Sequence, residues 1–110
     1  MSTIIRGTTP TLTFHVKDET LDLNNIAVIY VTFKTKPGIP KQKEKTFSIE
    51  DLNIDASNHI ITLYMTQEDT LEFINESMEC QIRVRFNNDR AYASNIDDLA
   101  IGRILKDGVI

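Results

Sequence analysis

At 110 residues, with 41% hydrophobic and 25% charged side chains, the chain has the size and composition of one domain, spanning residues 1–110, with an apolar core of its own. Its net charge of -4 has the wrong sign for holding nucleic acid by phosphate neutralisation, and its single cysteine, Cys80, excludes an intramolecular disulfide. No apolar run approaches the length of a membrane span, and the opening Met1-Ser2-Thr3-Ile4-Ile5-Arg6 lacks the charged start and long apolar stretch of a signal peptide, so the expectation is a soluble protein made in a reducing cytoplasm, with no nucleic acid or membrane partner.

Thr3 to Arg6 reads as a short strand, broken at Gly7-Thr8-Thr9-Pro10 because proline brings no amide donor to a ladder. From Thr11 the alternation is regular: Leu12, Phe14 and Val16 face one way, Thr11, Thr13, His15 and Lys17 the other. Asp18-Glu19-Thr20 turns the chain, and Leu21 and Leu23 flank Asp22. From Ile26 to Thr35, Ala27, Ile29, Val31 and Phe33 make one apolar face while Ile26, Val28 and Tyr30 make a second, which predicts a central strand covered on both sides.

Lys36-Pro37-Gly38-Ile39-Pro40 is the strongest turn signal. Lys41, Lys43 and Lys45 follow as the exposed face of an edge strand whose charge deters edge-to-edge pairing, with Phe47 and Ile49 turned inward. The carboxylates and amides between Asp51 and Asn58 have neither the glycine nor the closing glutamate of a calcium loop, and a hairpin loop is expected there. A strand from Ile60 runs into Thr66, an N-cap followed three residues later by Asp69, so one short helical turn is expected between 66 and 73, with Leu71 and Phe73 covering the open end of the fold. Cys80, Ile82, Val84 and Phe86 alternate with Glu79, Gln81, Arg83 and Arg85, the signature of an antiparallel strand with one buried face. Asn87-Asn88-Asp89-Arg90 is a hairpin turn, a return strand runs from Ala91 to Ile96, and a short strand from Leu99 to Ile104 follows a bulge or turn at Asp97-Asp98. The sum is an all-β fold, an immunoglobulin-like antiparallel sandwich of about seven to eight strands. Its core is expected to comprise Leu12, Phe14, Val16, Ile29, Val31, Phe33, Phe47, Ile61, Leu63, Cys80, Ile82, Val84 and Phe86.

Catalysis needs a base, a nucleophile and an orienting group within reach of one another. His15 and His59 stand apart from any serine or cysteine motif, and adjacent strand residues such as Asp97 and Asp98 point to opposite faces. The expectation is therefore not an enzyme, with no catalytic, cofactor or metal residues and no cofactor. The candidate interaction residues are Arg83 and Arg85, with Tyr92 opposite them across the turn, and the apolar Ile104, Val109 and Ile110 of the closing segment. That segment is expected to lie against a sheet edge, a second subunit or its own domain, turning at Lys106-Asp107-Gly108.

The opening Ile5-Arg6-Gly7-Thr8-Thr9-Pro10-Thr11, the strand Ile29-Tyr30-Val31-Thr32-Phe33-Lys34, the turn Thr66-Gln67-Glu68-Asp69-Thr70, Tyr92-Ala93-Ser94 and the ending Gly102-Arg103-Ile104-Leu105-Lys106-Asp107-Gly108-Val109-Ile110 occur together in one group. On these residues the chain resembles small phage and prophage proteins of Gram-positive bacteria, structural or tail-associated. More loosely, it is similar to the amino-terminal β-sandwich of phage baseplate upper proteins, although it carries no stalk or receptor-binding region. The resemblance implies a virion structural or assembly module, made in the bacterial cytoplasm. Its partners would be other phage structural proteins or itself, as a homo-oligomer. A small module binding a glycan or peptide is the alternative, and clustering of Tyr30, Tyr64 and Tyr92 on one exposed face would favour it.

Overall fold

A computed structural model describes residues 2–74 and 76–110. Among these residues the chain forms nine strands: β1 (Ser2–Ile5), β2 (Thr11–His15), β3 (Ile26–Thr35), β4 (Glu44–Phe47), β5 (Leu52–Asp55), β6 (Ile60–Tyr64), β7 (Ser77–Phe86), β8 (Ala91–Ala93) and β9 (Asp97–Gly102). One helix, α1 (Gln67–Leu71), joins β6 to β7. The larger sheet runs in the order β1-β9-β7-β3-β4, with β8 also on β7, and the smaller in the order β2-β6-β5. Strand partners β4-β3-β7-β9 facing β5-β6-β2 give an immunoglobulin-like sandwich.

The long antiparallel pair β3 and β7 is the centre of the larger sheet. Its inner face supplies Ile29, Val31, Phe33, Cys80, Ile82 and Val84, and the smaller sheet answers with Ile61 and Leu63, all buried. Phe33 meets Phe47 edge-on at 5.7 Å between ring centroids and Phe73 at 5.5 Å, so three rings close one end of the core. Each such fully buried side chain contributes about 1.5–3 kcal/mol relative to exposure. Leu12 and Phe14 pack against this cluster but stay partly open, because β2 is an edge strand. Ile4 of β1, Met78 and Phe86 of β7, Leu99 and Ile101 of β9, and Val16, Leu21, Leu23 and Met65 from between the strands complete the core.

α1 forms where the capping signal sits. Thr66 Oγ1 accepts from the Asp69 amide at 3.1 Å, and Asp69 Oδ2 accepts from the Thr66 amide at 2.8 Å. The helix is then tied to the first loop: Thr70 Oγ1 donates to the Thr8 carbonyl at 2.8 Å. Arg6 donates from Nε to the Phe73 carbonyl at 2.7 Å and from Nη2 to the Leu71 carbonyl at 2.8 Å. A guanidinium on the last carbonyls of a helix satisfies acceptors that the helix itself cannot.

Several expectations are corrected. β1 pairs with β9 in parallel, so the sandwich is not wholly antiparallel, and the strands number nine. The return from β7 is interrupted at Ser94–Ile96 rather than at Asp97-Asp98, which lie inside β9. At the interruption Ser94 replaces the ladder, its Oγ accepting from the Ile82 amide at 3.0 Å. The expected 51–58 loop contains β5; only 56–59 turns, with His59 in the left-handed region at φ 54. Ile49 sits in a 3-10 turn, half exposed, because the chain leaves the β4 ladder at Ser48. Among the described residues no layer covers the second apolar face of β3, and Tyr30 is 47% exposed. Ala27 is exposed because the β3–β7 register slips by one residue between Ile26 and Val28, which turns Ala27 off the inner face.

Candidate interaction surfaces

On the outer face of the larger sheet, Arg83 stands between Tyr30 of β3 and Ala93 of β8, and Arg85 between Val28 and Ala91. These side chains border a depression of about 220 Å³. Arg85 reaches Asp89 at 3.4 Å across the hairpin turn, while Arg83 has no ion-pair partner among the described residues. Ile96, 57% exposed, lies on the same face beside Thr32 and Gln81. Tyr92 does not join the arginines. It pairs with Val84, whose side chain is buried, so the two-residue period turns Tyr92 toward the core and away from Arg83 and Arg85. The sequence places Tyr92 in the right strand, but only the hairpin register decides its face.

The closing segment returns to the α1 end of its own fold. Ile104 packs where Gly7 makes room: a Cβ at Gly7 would stand 3.1 Å from Ile104 Cδ1 and 3.4 Å from Leu71 Cδ2, and Gly7 also needs its φ of +78. Gln67 holds the backbone of Ile110 through both ends of its amide, accepting from the Ile110 N–H at 2.9 Å and donating to its carbonyl at 3.3 Å. Arg6 approaches Asp107 at 3.9 Å. Bends at Lys106 and Gly108 accompany the expected turn. The anchors are polar and exposed, and the apolar side chains they carry are not buried: Leu105 is 93%, Val109 55% and Ile110 92% exposed. Arg6 and Gln67, which organise this end, were not among the sequence candidates, since a lone arginine and a lone glutamine carry no local pattern.

A third surface runs along the open side of β2. Residues of an antiparallel ladder alternately bond across it and point their N–H and C=O away. The Met65 amide donates to the Pro10 carbonyl at 3.1 Å and the Val16 amide to the His59 carbonyl at 2.9 Å. With Leu12 opposite Leu63 and Phe14 opposite Ile61, the even-numbered residues therefore bond to β6. Thr11, Thr13 and His15 direct their backbone groups outward, where no described residue meets them. Beside this edge a groove of about 500 Å³ separates β2 from β9. Leu12, Phe14, Cys80 and Leu99 line it, with Asp97 and Asp98 at its mouth. Asp98 is engaged by Lys36 at 3.0 Å, whereas Asp97 is in no ion pair among the described residues.

The reactive chemistry of these surfaces is sparse. Burial, and then the charge of Asp97, pushes the Cys80 thiol up to about 12, which leaves it protonated and unreactive at neutral pH. A loop-end cleft of about 400 Å³ is bordered by Asp22, Asn25, Phe86 and Arg90, but the Asp22 carboxylate already accepts from the Asn24 amide at 2.9 Å and from Asn25 Nδ2 at 2.6 Å. Among the described residues no group of three His, Cys, Asp or Glu side chains could hold a metal ion, and no helix is long and apolar enough to cross a membrane. No protein-family model matches the chain, and no curated protein matches it.

Proposed function

We propose that the chain is a non-enzymatic structural or assembly module of a phage or prophage particle, tail- or baseplate-associated, acting through protein–protein contacts with itself or with other particle proteins. The observation that carries the reading is the outer face of the larger sheet. Tyr30 and Ile96 are about half exposed on a framework of short side chains, Ala91 and Ala93, with Arg83 free of an ion pair among the described residues. Aromatic and arginine side chains on a low-relief, rigid surface are the residues that anchor protein interfaces. The phage assignment itself rests on the sequence resemblance.

Mass spectrometry of purified particles from an induced lysogen tests the assignment. The chain should be present in a fixed ratio to the tail proteins. Its absence from particles and from assembly intermediates would end the reading. Tyr30→Asp should weaken whatever association the chain shows about tenfold, the effect of removing one interface anchor. The glycan- or peptide-binding alternative gains nothing from the tyrosines. Tyr30 is on the outer face of the larger sheet, Tyr64 on that of the smaller, and Tyr92 is turned inward.

A further inference from the structure

We propose that the open β2 edge and the groove beside it accept an extended strand from a second copy of this chain, and that residues 106–110 are the donor. This rests on the assembly reading and names a contact that it would use, separate from the outer face of the larger sheet.

Three features of the acceptor point to a strand. Thr11, Thr13 and His15 offer N–H and C=O groups in the outward half of an antiparallel ladder, with no described partner. No lysine or proline lies within β2 to discourage pairing, and no bulge twists it away. The groove beside it is lined by half-buried Leu12 and Phe14 with Thr13 on one side and by Leu99 with Asp97 and Asp98 on the other, so an added strand would meet apolar side chains flanked by two carboxylates. In strand addition, main-chain bonds give affinity and such pockets select alternate side chains.

The charge at the groove mouth selects the donor. Asp97 shares the inward side of β9 with buried Leu99 and Ile101, and it lacks the lysine that neutralises Asp98. A donor with one cation and, further along the same side, one aliphatic side chain would therefore fit. Residues 106–110 read Lys-Asp-Gly-Val-Ile. With Lys106 turned toward Asp97, the two-residue period also turns Gly108 and Ile110 inward and sends Asp107 out. In its own molecule this segment is held, among the described residues, by polar contacts, the exposed Gln67 clamp and the Arg6–Asp107 pair at 3.9 Å, while Ile110 stays 92% exposed. Such anchors exchange readily for a ladder and a buried aliphatic side chain. Gly108, at φ +88 in the present turn, can become extended without a side-chain penalty.

Donor and acceptor are different parts of the surface, so the contact is head-to-tail, and association either closes a ring or continues as a chain. A synthetic peptide of residues 103–110, titrated into the ¹⁵N-labelled protein, tests the contact directly. Amide shifts should concentrate at Thr11, Thr13 and His15. Asp97→Lys should weaken binding by at least about tenfold with an unchanged melting temperature, and a peptide carrying Lys106→Asp should restore it to that variant. Shifts confined to other strands, or binding indifferent to Asp97→Lys, would overturn the proposal. Sedimentation of the full chain separates it from the assembly reading. Association lost in both Asp97→Lys and Thr13→Pro supports the proposal. Association that survives both variants but is lost in Tyr30→Asp overturns the strand contact and leaves the assembly reading in place. A chain that stays monomeric although the peptide binds overturns the second-copy donor.

Discussion

β4 and β2 each close one side of a sheet, and they present their free backbone in different company. On β4, Lys45 is held by Glu72 and by Asp69 at 3.6 Å, and its ammonium lies 5.2 Å from the Phe47 ring centre. Lys43 stands just before the strand, its amide and carbonyl both engaged by Thr35. Lys45 lies opposite buried Phe33, so its side chain is on the inner side of β4 and not on the exposed face expected from its alternation with Glu44, and Lys41 and Lys43 precede the strand. On β2 the residues with outward backbone are Thr11, Thr13 and His15, and the Asp97 carboxylate lines the groove beside them. The two edges thus differ in what lies beside the free backbone: on β4 the ladder phase turns Glu44 and Thr46 outward, while on β2 Thr11, Thr13 and His15 face outward beside a groove.

The comparison presumes that both edges hang on one cooperative core, and the largest expected effect tests that. Val84→Asp puts a carboxylate on the buried side of β7, between Ile29 and Tyr92, with no cation to meet it. Burial of an unpaired charge outweighs a stability of about 5–15 kcal/mol, so the variant should lack a cooperative melt by circular dichroism. A folded, cooperatively melting Val84→Asp protein would mean that the faces are reversed.

Next in size is a pair of prolines. The Leu12 amide belongs to the β6 ladder and its side chain to the core margin, so Leu12→Pro should cost about 3 kcal/mol. The Thr13 amide faces outward and bonds to nothing described, so Thr13→Pro should cost less than about half of that. Urea denaturation of both variants compares them, and equal losses would show that the ladder phase assigned to β2 is wrong.

Lys45→Ala should have a smaller effect, on the order of 1 kcal/mol, from partly exposed ion pairs and a cation–ring contact. Urea denaturation reads this loss, and an unchanged midpoint would show that the ion pairs and the ring contact add nothing to stability.

The smallest effect concerns pH. Asp18, Asp22 and Asp55 are held below the usual carboxylate range: Asp18 by the Thr20 hydroxyl and then its amide, Asp22 chiefly by the Asn24 amide, Asp55 by Asn58 and Ser57 side chains. A carboxylate whose folded pKa is depressed lends stability that is present above its unfolded value and lost as pH falls through the folded one. The melting temperature should therefore hold from pH 7 to about 5 and decline below about 4, as the loops lose their carboxylate acceptors. Lys45 has the opposite sign. Its hydrogen bond to Glu72 raises its pKa, and the associated stability is lost only as pH rises beyond the usual lysine range. A melting temperature flat down to pH 2 would remove these turns from the stability account.

Most of the strands in chain order, β5 excepted, and the buried faces of β3, β6 and β7 were legible in the sequence. Alternation is a local property: wherever Ile29, Val31 and Phe33, or Ile82, Val84 and Phe86, recur every second residue, one side must be buried whatever the partner. The α1 cap was legible for the same reason, since Thr66 and Asp69 are three residues apart and need only each other. Pairing across long separations was not local. The parallel match of β1 to β9, the slip that exposes Ala27 and the inward turn of Tyr92 all depend on register between distant segments. The candidate surfaces divide in the same way. Arg83 and Arg85 could be placed on a wet face from their own spacing, but Tyr92 could not be placed with them. The free backbone of Thr11, Thr13 and His15 was invisible until β6 took one side of β2 and no described residue took the other. Side-chain direction follows from the two-residue period of the chain itself, whereas a free edge exists only once the tertiary fold has assigned every other strand its neighbours.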